Sequence, residues 1–339
     1  MEFAIVFGGR SYEHEISIVS AIALREKIEA KLIFLDREGD FYLIEKEPRA
    51  KLFSGGDYKK MPRLELKKGG FYQKGLLKEK RVEFDVAINL VHGAEGEDGH
   101  LAALFDFFEI AYIGPRVEAS VVSFNKLFTK MYAKELGCNV LEYQLMRRDA
   151  ISPLKFSYPV IVKPLRLGSS IGVSVVKDES ELSYALDVAF EFDDEVLIEP
   201  FIEGIREFNL AGAKGSGGFI FSKLEEVQKG KFLDFEKKYM DFARDEIQEA
   251  SLPDGTKERF YESFKKIYDP LFAGAIIRID FFFHNDTIYI NEINPVPGSL
   301  AAYLFENIAA VLNAVARSLP KRPKIDIEYR YINSISAKK

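Results

Sequence analysis

Arg278 and Asp280 lie two residues apart in Ile277-Arg278-Ile279-Asp280-Phe281, and Glu292 and Asn294 lie two apart a few residues later. Residues two apart in a strand share a face. A hairpin with a three-residue turn, Asn285-Asp286-Thr287, places Asp280 opposite Glu292 and Arg278 opposite Asn294. A two-residue turn would put the pairs on opposite faces. With the longer turn, one face carries two carboxylates, an amide oxygen and a guanidinium. Hard oxygen donors of this kind suit Mg²⁺, which takes one or two carboxylates plus phosphate oxygens. A solvated ion-pair face is the plain alternative. The apolar flanks Ile277, Ile279, Phe281, Ile290 and Ile293 argue against it.

Three glycine-bearing segments add weaker signals. Val162-Lys163-Pro164 runs into Leu167-Gly168-Ser169-Ser170-Ile171-Gly172, a loop offering backbone N–H groups and hydroxyls to a phosphate, with Lys163 as a charge. It lacks the Gly-Lys-Ser/Thr ending of a P-loop, and alone it reads equally well as a hairpin turn. Gly8-Gly9-Arg10-Ser11-Tyr12-Glu13-His14-Glu15 stands between a strand and a helix without the dinucleotide spacing. Glu13 or Glu15 alone would simply suit a helix start. His92-Gly93-Ala94-Glu95-Gly96-Glu97-Asp98-Gly99 follows a buried strand, where α/β proteins hold ligands, although a lone histidine there is more often structural.

The elements that must hold these residues alternate. Residues 3–7 form a continuous apolar run, expected as a buried parallel strand, and Ile16, Val19 and Ala23 follow at helical spacing. Strands are expected at 31–35 and 84–91, with 46–80 a Lys-, Gly- and Pro-rich peripheral excursion. From 116 the pattern gives a helix at 125–136 closed by Gly137, strands at 158–163, 171–177 and 195–200, and a helix at 180–190. Residues 225–256 read as a long mobile loop. A helix at 258–272 presents Phe260, Phe264, Ile267 and Leu271 on one face. The hairpin at 275–293, a final helix at about 299–317 and a polar tail complete the chain. Boundaries are expected near 115 and, more softly, near 200.

The 339 residues are enough for two or three domains, and 47% hydrophobic content supports sizeable cores. A net charge of −6 gives no reason to expect nucleic acid or an anionic membrane. Cys138 is the single cysteine, which excludes an internal disulfide and makes it a small apolar residue after a helix end. The start lacks a basic, apolar leader and no later stretch is long enough to span a bilayer, so a cytoplasmic location is expected.

In this order, GGRSYEHEISIVSA, HGAEGEDG, the Asn125-Lys126 helix, VKPLRLGSSIGVS, LIEPFIEGIREFNLA and RID…NEINPVPGS resemble the D-alanine–D-alanine ligase family of the ATP-grasp superfamily, over about residues 3–318. Other ATP-grasp ligases share the later segments but not the first two. The resemblance implies an α/β, three-domain ATP-grasp architecture. An N-terminal Rossmann-like (pre-ATP-grasp) substrate domain spans 1–115, a central subdomain 116–200, and a C-terminal subdomain with the lid and metal site 201–330, before a tail at 331–339. ATP would lie between the last two subdomains.

It implies roles residue by residue. Lys126 and Lys163 match lysines that reach the phosphates, with Ser170 beside them; Glu199 matches the adenine-facing acid, and Phe201 and Ile202 the adenine sandwich. Glu207 matches the ribose contact, in a turn one residue longer than the family's. Asp280, Glu292 and Asn294 match the ligands of two Mg²⁺ (or Mn²⁺), and Lys238-Tyr239 a lid over the γ-phosphate. Glu13 matches the acid receiving the first substrate's ammonium, His92 a residue near its carboxylate, and Ser169 the link from Glu13 to the lid tyrosine. Arg278 and the Gly298 N–H would form the oxyanion hole.

The implied reaction phosphorylates one D-alanine carboxylate, and the amine of a second D-alanine then attacks the acyl phosphate behind a closed lid. Tyr303-Leu304 stand where many members carry a serine-leucine pair that holds the acceptor's carboxylate. A tyrosine hydroxyl reaches differently, so D-serine or D-lactate stays open as an alternative acceptor, although Lys238-Tyr239 argues against D-lactate. A regulatory module without catalysis would lack Arg278 or the metal carboxylates, and a nicotinamide oxidoreductase would need the missing fingerprint. Partners implied are D-alanine, ATP and a second copy in a homodimer.

Overall fold

A computed structural model of the chain describes residues 1–75, 78–227, 250–321, 325–329, 331–332 and 335. Three sheets organise it. The first holds β1 (Phe3–Gly8), β2 (Ala30–Leu35), β3 (Phe41–Ile44), β4 (Arg63–Lys67), β5 (Gly70–Gln73), β6 (Lys80–Arg81), β7 (Val86–Asn89) and β8 (Tyr112–Ile113), in the order β6-β5-β4-β3-β2-β1-β7-β8. Every residue of β1 is buried and it pairs in parallel with β2 and β7, which is why its sequence is apolar throughout rather than alternating. The Lys- and Gly-rich stretch read as a peripheral excursion contributes three antiparallel strands, β4, β5 and β6, to the edge of this sheet.

Helix α1 (His14–Lys27) lies on that sheet through Ile16, Ser17, Ile18, Ser20, Ala21 and Leu24. Val19, expected on the buried face, is 43% exposed. The face is instead set by two serines. Ser17 Oγ accepts from the Gly8 N–H at 2.8 Å and donates to the Leu90 carbonyl at 2.6 Å, tying the helix start to the ends of β1 and β7. Short helices α2 (Ala50–Ser54), α3 (His100–Phe107) and α4 (Val117–Phe124) follow, and then α5 (Lys126–Glu135), whose first N–H groups are accepted by the Asn125 side chain.

The second sheet, β9 (Gln144–Arg147), β10 (Val160–Pro164), β11 (Ser174–Val176) and β12 (Glu195–Pro200), is antiparallel in the order β11-β10-β12-β9 and carries α6 (Glu179–Phe190). The third runs β14-β13-β15-β16, from β13 (Arg206–Gly215), β14 (Gly218–Glu226), β15 (Ile277–His284) and β16 (Thr287–Asn294). Helix α7 (Thr256–Leu271) buries Phe260, Phe264, Ile267 and Tyr268 against its Phe208, Leu210, Ile279 and Phe281.

Two expectations need correction here. Residues 225–226 finish β14 and 256 begins α7, so the long loop is shorter than read from sequence at both ends. The last helix, α8, runs only Ile308–Ala316, capped by the Asn307 side chain. Ser299, Leu300 and Ala301 all have positive φ, a left-handed turn no helix can continue through. Among the described residues no helix is long and apolar enough to cross a membrane.

Candidate active site

The third sheet lays out a row of polar residues. Glu225 on β14 is the register partner of Asn209 on β13, Asn209 of Asp280 on β15, and Asp280 of Glu292 on β16. Directly opposed residues share a face, so all four project the same way. The hairpin that makes this possible differs from expectation. Its turn has two residues, Asn285-Asp286, both at positive φ as the primed turns of hairpins require. A bulge at Asn291 then shifts the register, so that Arg278 meets Asn294 and Asp280 meets Glu292 after all.

On that face Arg278 grips Asp280 with two hydrogen bonds, Nε to Oδ1 at 2.6 Å and a terminal nitrogen to Oδ2 at 2.9 Å. At one end of the row, Lys126 Nζ lies 3.2 Å from Glu292 Oε1. At the other, Tyr303 Oη (3.1 Å) and Asn209 Nδ2 (3.0 Å) both donate to Glu225 Oε2.

Opposite stands the second sheet. Lys163 on β10 reaches Glu199 Oε2 on β12 at 2.6 Å, and Lys130, one turn beyond Lys126 on α5, reaches Oε1 at 2.6 Å. Burial alone would raise the Glu199 carboxyl, but the two lysines bring it down to about 2. Burial likewise works against the charge on Lys163, and Glu199 overrides it upward, whereas for Lys130 burial prevails and its amine is lowered. Lys163 also donates to Asn291 Oδ1 at 3.4 Å, so the bulged residue bridges the two sheets.

The first sheet closes the remaining side. Glu13, just before α1, is buried and accepts a hydrogen bond from Ser169 Oγ, 156 residues away. Burial raises its carboxyl, with Ser169 and Lys126 opposing, and its Oε2 has no hydrogen-bond partner. The glycines around it permit the approach: a Cβ on Gly168 would stand 2.9 Å from Glu13 Oε1, and one on Gly93 3.0 Å from Oε2. His92 is buried with Nδ1 2.9 Å from the Leu90 carbonyl, which assigns the proton to Nδ1 and leaves Nε2 as an acceptor, 3.4 Å from Ser20 Oγ. Burial lowers its imidazole to about 4. Glu97, half-buried nearby, is pushed well above the usual range by burial and by the charges of Glu13 and Glu292.

Glu13, His92, Lys126, Lys163, Ser169, Ser170, Glu199, Glu207, Arg278, Asp280, Glu292, Asn294, Gly298 and Tyr303 thus line one cleft between the sheets. Phe201 and Ile202, half-buried just past β12, do not line it. Leu304 is buried in the core beside α8, its N–H bonded to Ala301 and its carbonyl to Lys223. Lys238 and Tyr239 lie outside the described residues. Sequence reasoning passed over Lys130, Asn209, Glu225 and Asn291. Lys130 was findable as a lysine four residues from Lys126 on the same helical face. Nothing short of strand register points to Glu225.

This α/β framework, with lysines on one wall and a carboxylate row on the other, is that of the ATP-grasp ligases. A solved D-Ala–D-Ala ligase from Helicobacter pylori, 49% identical, superposes with a TM-score of 0.85 over 95% of this chain and 100% of that one. Family models described as D-ala D-ala ligase N-terminus and C-terminus match residues 2–115 and 132–312, respectively. The D-alanine–D-alanine ligases of Nitratiruptor sp. (65% identical, 100% of both chains) and Wolinella succinogenes (54%, 100% of this chain and 99% of that one) align throughout. The chain belongs to the D-alanine–D-alanine ligase family, and is an ATP-dependent ligase. VanG, a D-Ala:D-Ser ligase from Enterococcus faecalis, shares the fold at 22% identity with a TM-score of 0.72, over 94% of this chain and 97% of that one.

Proposed function

We propose that the chain joins two D-alanines with ATP, through a D-alanyl phosphate, giving D-alanyl-D-alanine, ADP and phosphate for peptidoglycan synthesis. The observation that carries this is the meeting, in one cleft, of Glu13–Ser169 with Arg278, Lys126 and Lys163, beside the family membership. Glu13 receives the donor's ammonium, and its buried, unpartnered Oε2 is the acceptor such a cation needs. Neutral His92 stands by the donor without adding charge. Lys126, Lys163 and Ser170 hold the phosphates, Glu199 faces the adenine, and Glu207 meets the ribose. Because Lys126 and Lys163 are committed to Glu292 and Glu199, phosphates compete with those carboxylates for them. Arg278 and the Gly298 N–H stabilise the oxyanion as the amine attacks.

Asp280, Glu292 and Asn294 fit Mg²⁺ or Mn²⁺. Two opposed carboxylates and an amide are a hard-oxygen set, and Asn294 Nδ2 is buried without a partner, as expected of an amide that can turn its oxygen inward. The metal would supply charge neutralisation for the ATP phosphates. The three sheets support a division near 115 and 200, and the family resemblance supports a cytoplasmic homodimer, which sedimentation velocity would test.

The deciding experiment measures phosphate release with ATP, Mg²⁺ and D-alanine, L-alanine, or D-alanine with D-serine or D-lactate, with products weighed by mass spectrometry. Dipeptide from D-alanine and silence with L-alanine are expected. No turnover under any condition would sink the reading.

A further inference from the structure

Glu199 is held by two lysines at once. Lys163 Nζ lies 2.6 Å from its Oε2, and Lys130 Nζ lies 2.6 Å from its Oε1. All three residues are buried and all three line the cleft. The two lysines are placed differently. Lys163 stands near the end of β10, shortly before the Gly168-Ser169-Ser170 loop, and has a second acceptor in Asn291 Oδ1 at 3.4 Å. Lys130 is 1% exposed in the middle of α5, and its amine also donates to the Ile290 carbonyl on β16 at 3.5 Å. One lysine is therefore near enough to the phosphate loop to be drawn away, and the other is enclosed.

Two ammonium groups compete with any nucleobase amine for the Glu199 oxygens. Phosphates change that balance, because their charge draws Lys163 away from Oε2. The carboxylate then keeps its place only if a second cation remains, since a buried carboxylate stripped of its partner is strongly destabilised. Lys130 is that cation. We infer that Lys130 is a positioning residue for nucleobase selection. It holds Glu199 through Oε1 while Lys163 leaves Oε2, whose freed lone pairs accept the exocyclic amine of adenine and turn away an oxo group. The inference rests on the nucleotide placement proposed above and adds the residue that makes it selective. It also makes reading of the base follow capture of the phosphates, with Lys163 as the link.

The test compares ATP with ITP, whose base carries a carbonyl oxygen where adenine carries the amine. Dipeptide formation is followed by mass at saturating D-alanine and Mg²⁺. Wild type should prefer ATP in kcat/KM by at least about tenfold, because the oxo group leaves the buried acceptor unpaired. In Lys130→Met, close in length and without charge, Lys163 stays with Glu199. The KM for ATP should then rise about tenfold or more with kcat largely kept, the KM for ITP should rise less, and the preference should shrink. Lys130→Gln, which keeps a neutral donor, should act the same way by less, and it carries the test if the methionine variant does not fold. In a Glu199→Gln background there is no carboxylate to hold, so adding Lys130→Met should leave the ATP-to-ITP ratio where Glu199→Gln alone sets it. A merely structural role would lower the rates with both nucleotides by one factor in either background, and that result would overturn the inference. So would an ATP KM unmoved by Lys130→Met, or a wild type that makes dipeptide equally well from ATP and ITP. A wild type that turns over neither nucleotide with D-alanine would instead overturn the ligase reading itself.

Discussion

Arg278 carries two duties, holding Asp280 in a fork and facing the place where negative charge would develop. A lysine retains the charge and loses the planar fork. Arg278→Lys should therefore lower turnover about a hundredfold, with a much smaller effect on the KM for ATP, in steady-state kinetics at saturating D-alanine. His92 gives a prediction in pH. Its folded value of about 4 lies below the ordinary 6.5, so unfolding between those values takes up a proton. The stability this supplies is complete above about pH 6.5 and is lost as pH falls toward 4, by up to about 3 kcal/mol. Glu13 and Glu97, raised above their ordinary 4.5, bias the same window the other way. The difference between wild type and His92→Gln isolates the histidine: urea titrations from pH 7 to 4 should show a shallower loss in the variant. Parallel curves would mean that His92 is not held neutral.

The third-sheet hairpin shows how far a sequence can be read at the level of an element. Period-two spacing correctly put Arg278 with Asp280 and Glu292 with Asn294, because strand alternation is a local property. The required pairing across strands was also right, but the proposed three-residue turn was not. Asn285-Asp286 makes a two-residue turn, and the missing residue of register enters at Asn291. Bulges leave little local trace, since they are fixed by the strand opposite. The same blindness to non-local pairing hid β13 and β14, and with them Asn209 and Glu225. Deleting Asn291 closes the bulge and leaves Glu292 opposite Asp280 and Asn294 opposite Arg278. The deletion should therefore retain a measurable fraction of ATP turnover, as should Asn291→Ala, which removes only the side chain. Equal loss in both would show that the side chain contact with Lys163, rather than register, is what matters. The over-long final helix has a comparable cause. Apolar composition continues from Leu300 to Phe305, but the left-handed turn at 299–301 is set by packing against α1, as the Ser299 Oγ bond to the Ser20 carbonyl shows.

For the molecule as a whole, the cleft draws Glu13 from the first sheet, Lys163 and Glu199 from the second, and Arg278, Asp280 and Glu292 from the third. A ligand bound there contacts all three and stabilises only the arrangement in which they meet. At a concentration about a hundred times Kd it should add about 2.7 kcal/mol, raising Tm by several degrees. Differential scanning fluorimetry with ADP, Mg²⁺ and D-alanine, alone and together, would read this. Shifts that appear only with nucleotide would place the amino acid's contribution after closure rather than before it.

The hydrogen bond between Glu13 and Ser169 joins residues 156 positions apart, and the ribosome must make the serine long after the glutamate. During synthesis the carboxylate emerges before the serine it meets, and before the C-terminal residues Val296, Leu300, Ile308 and Leu312 that complete the core under its sheet. Catalytic competence is thus the last property the chain acquires, and by the same logic the first it loses. In a gentle denaturant series, turnover should vanish while helical signal is still intact, making the reaction itself a sensitive gauge of whether the three parts have come together.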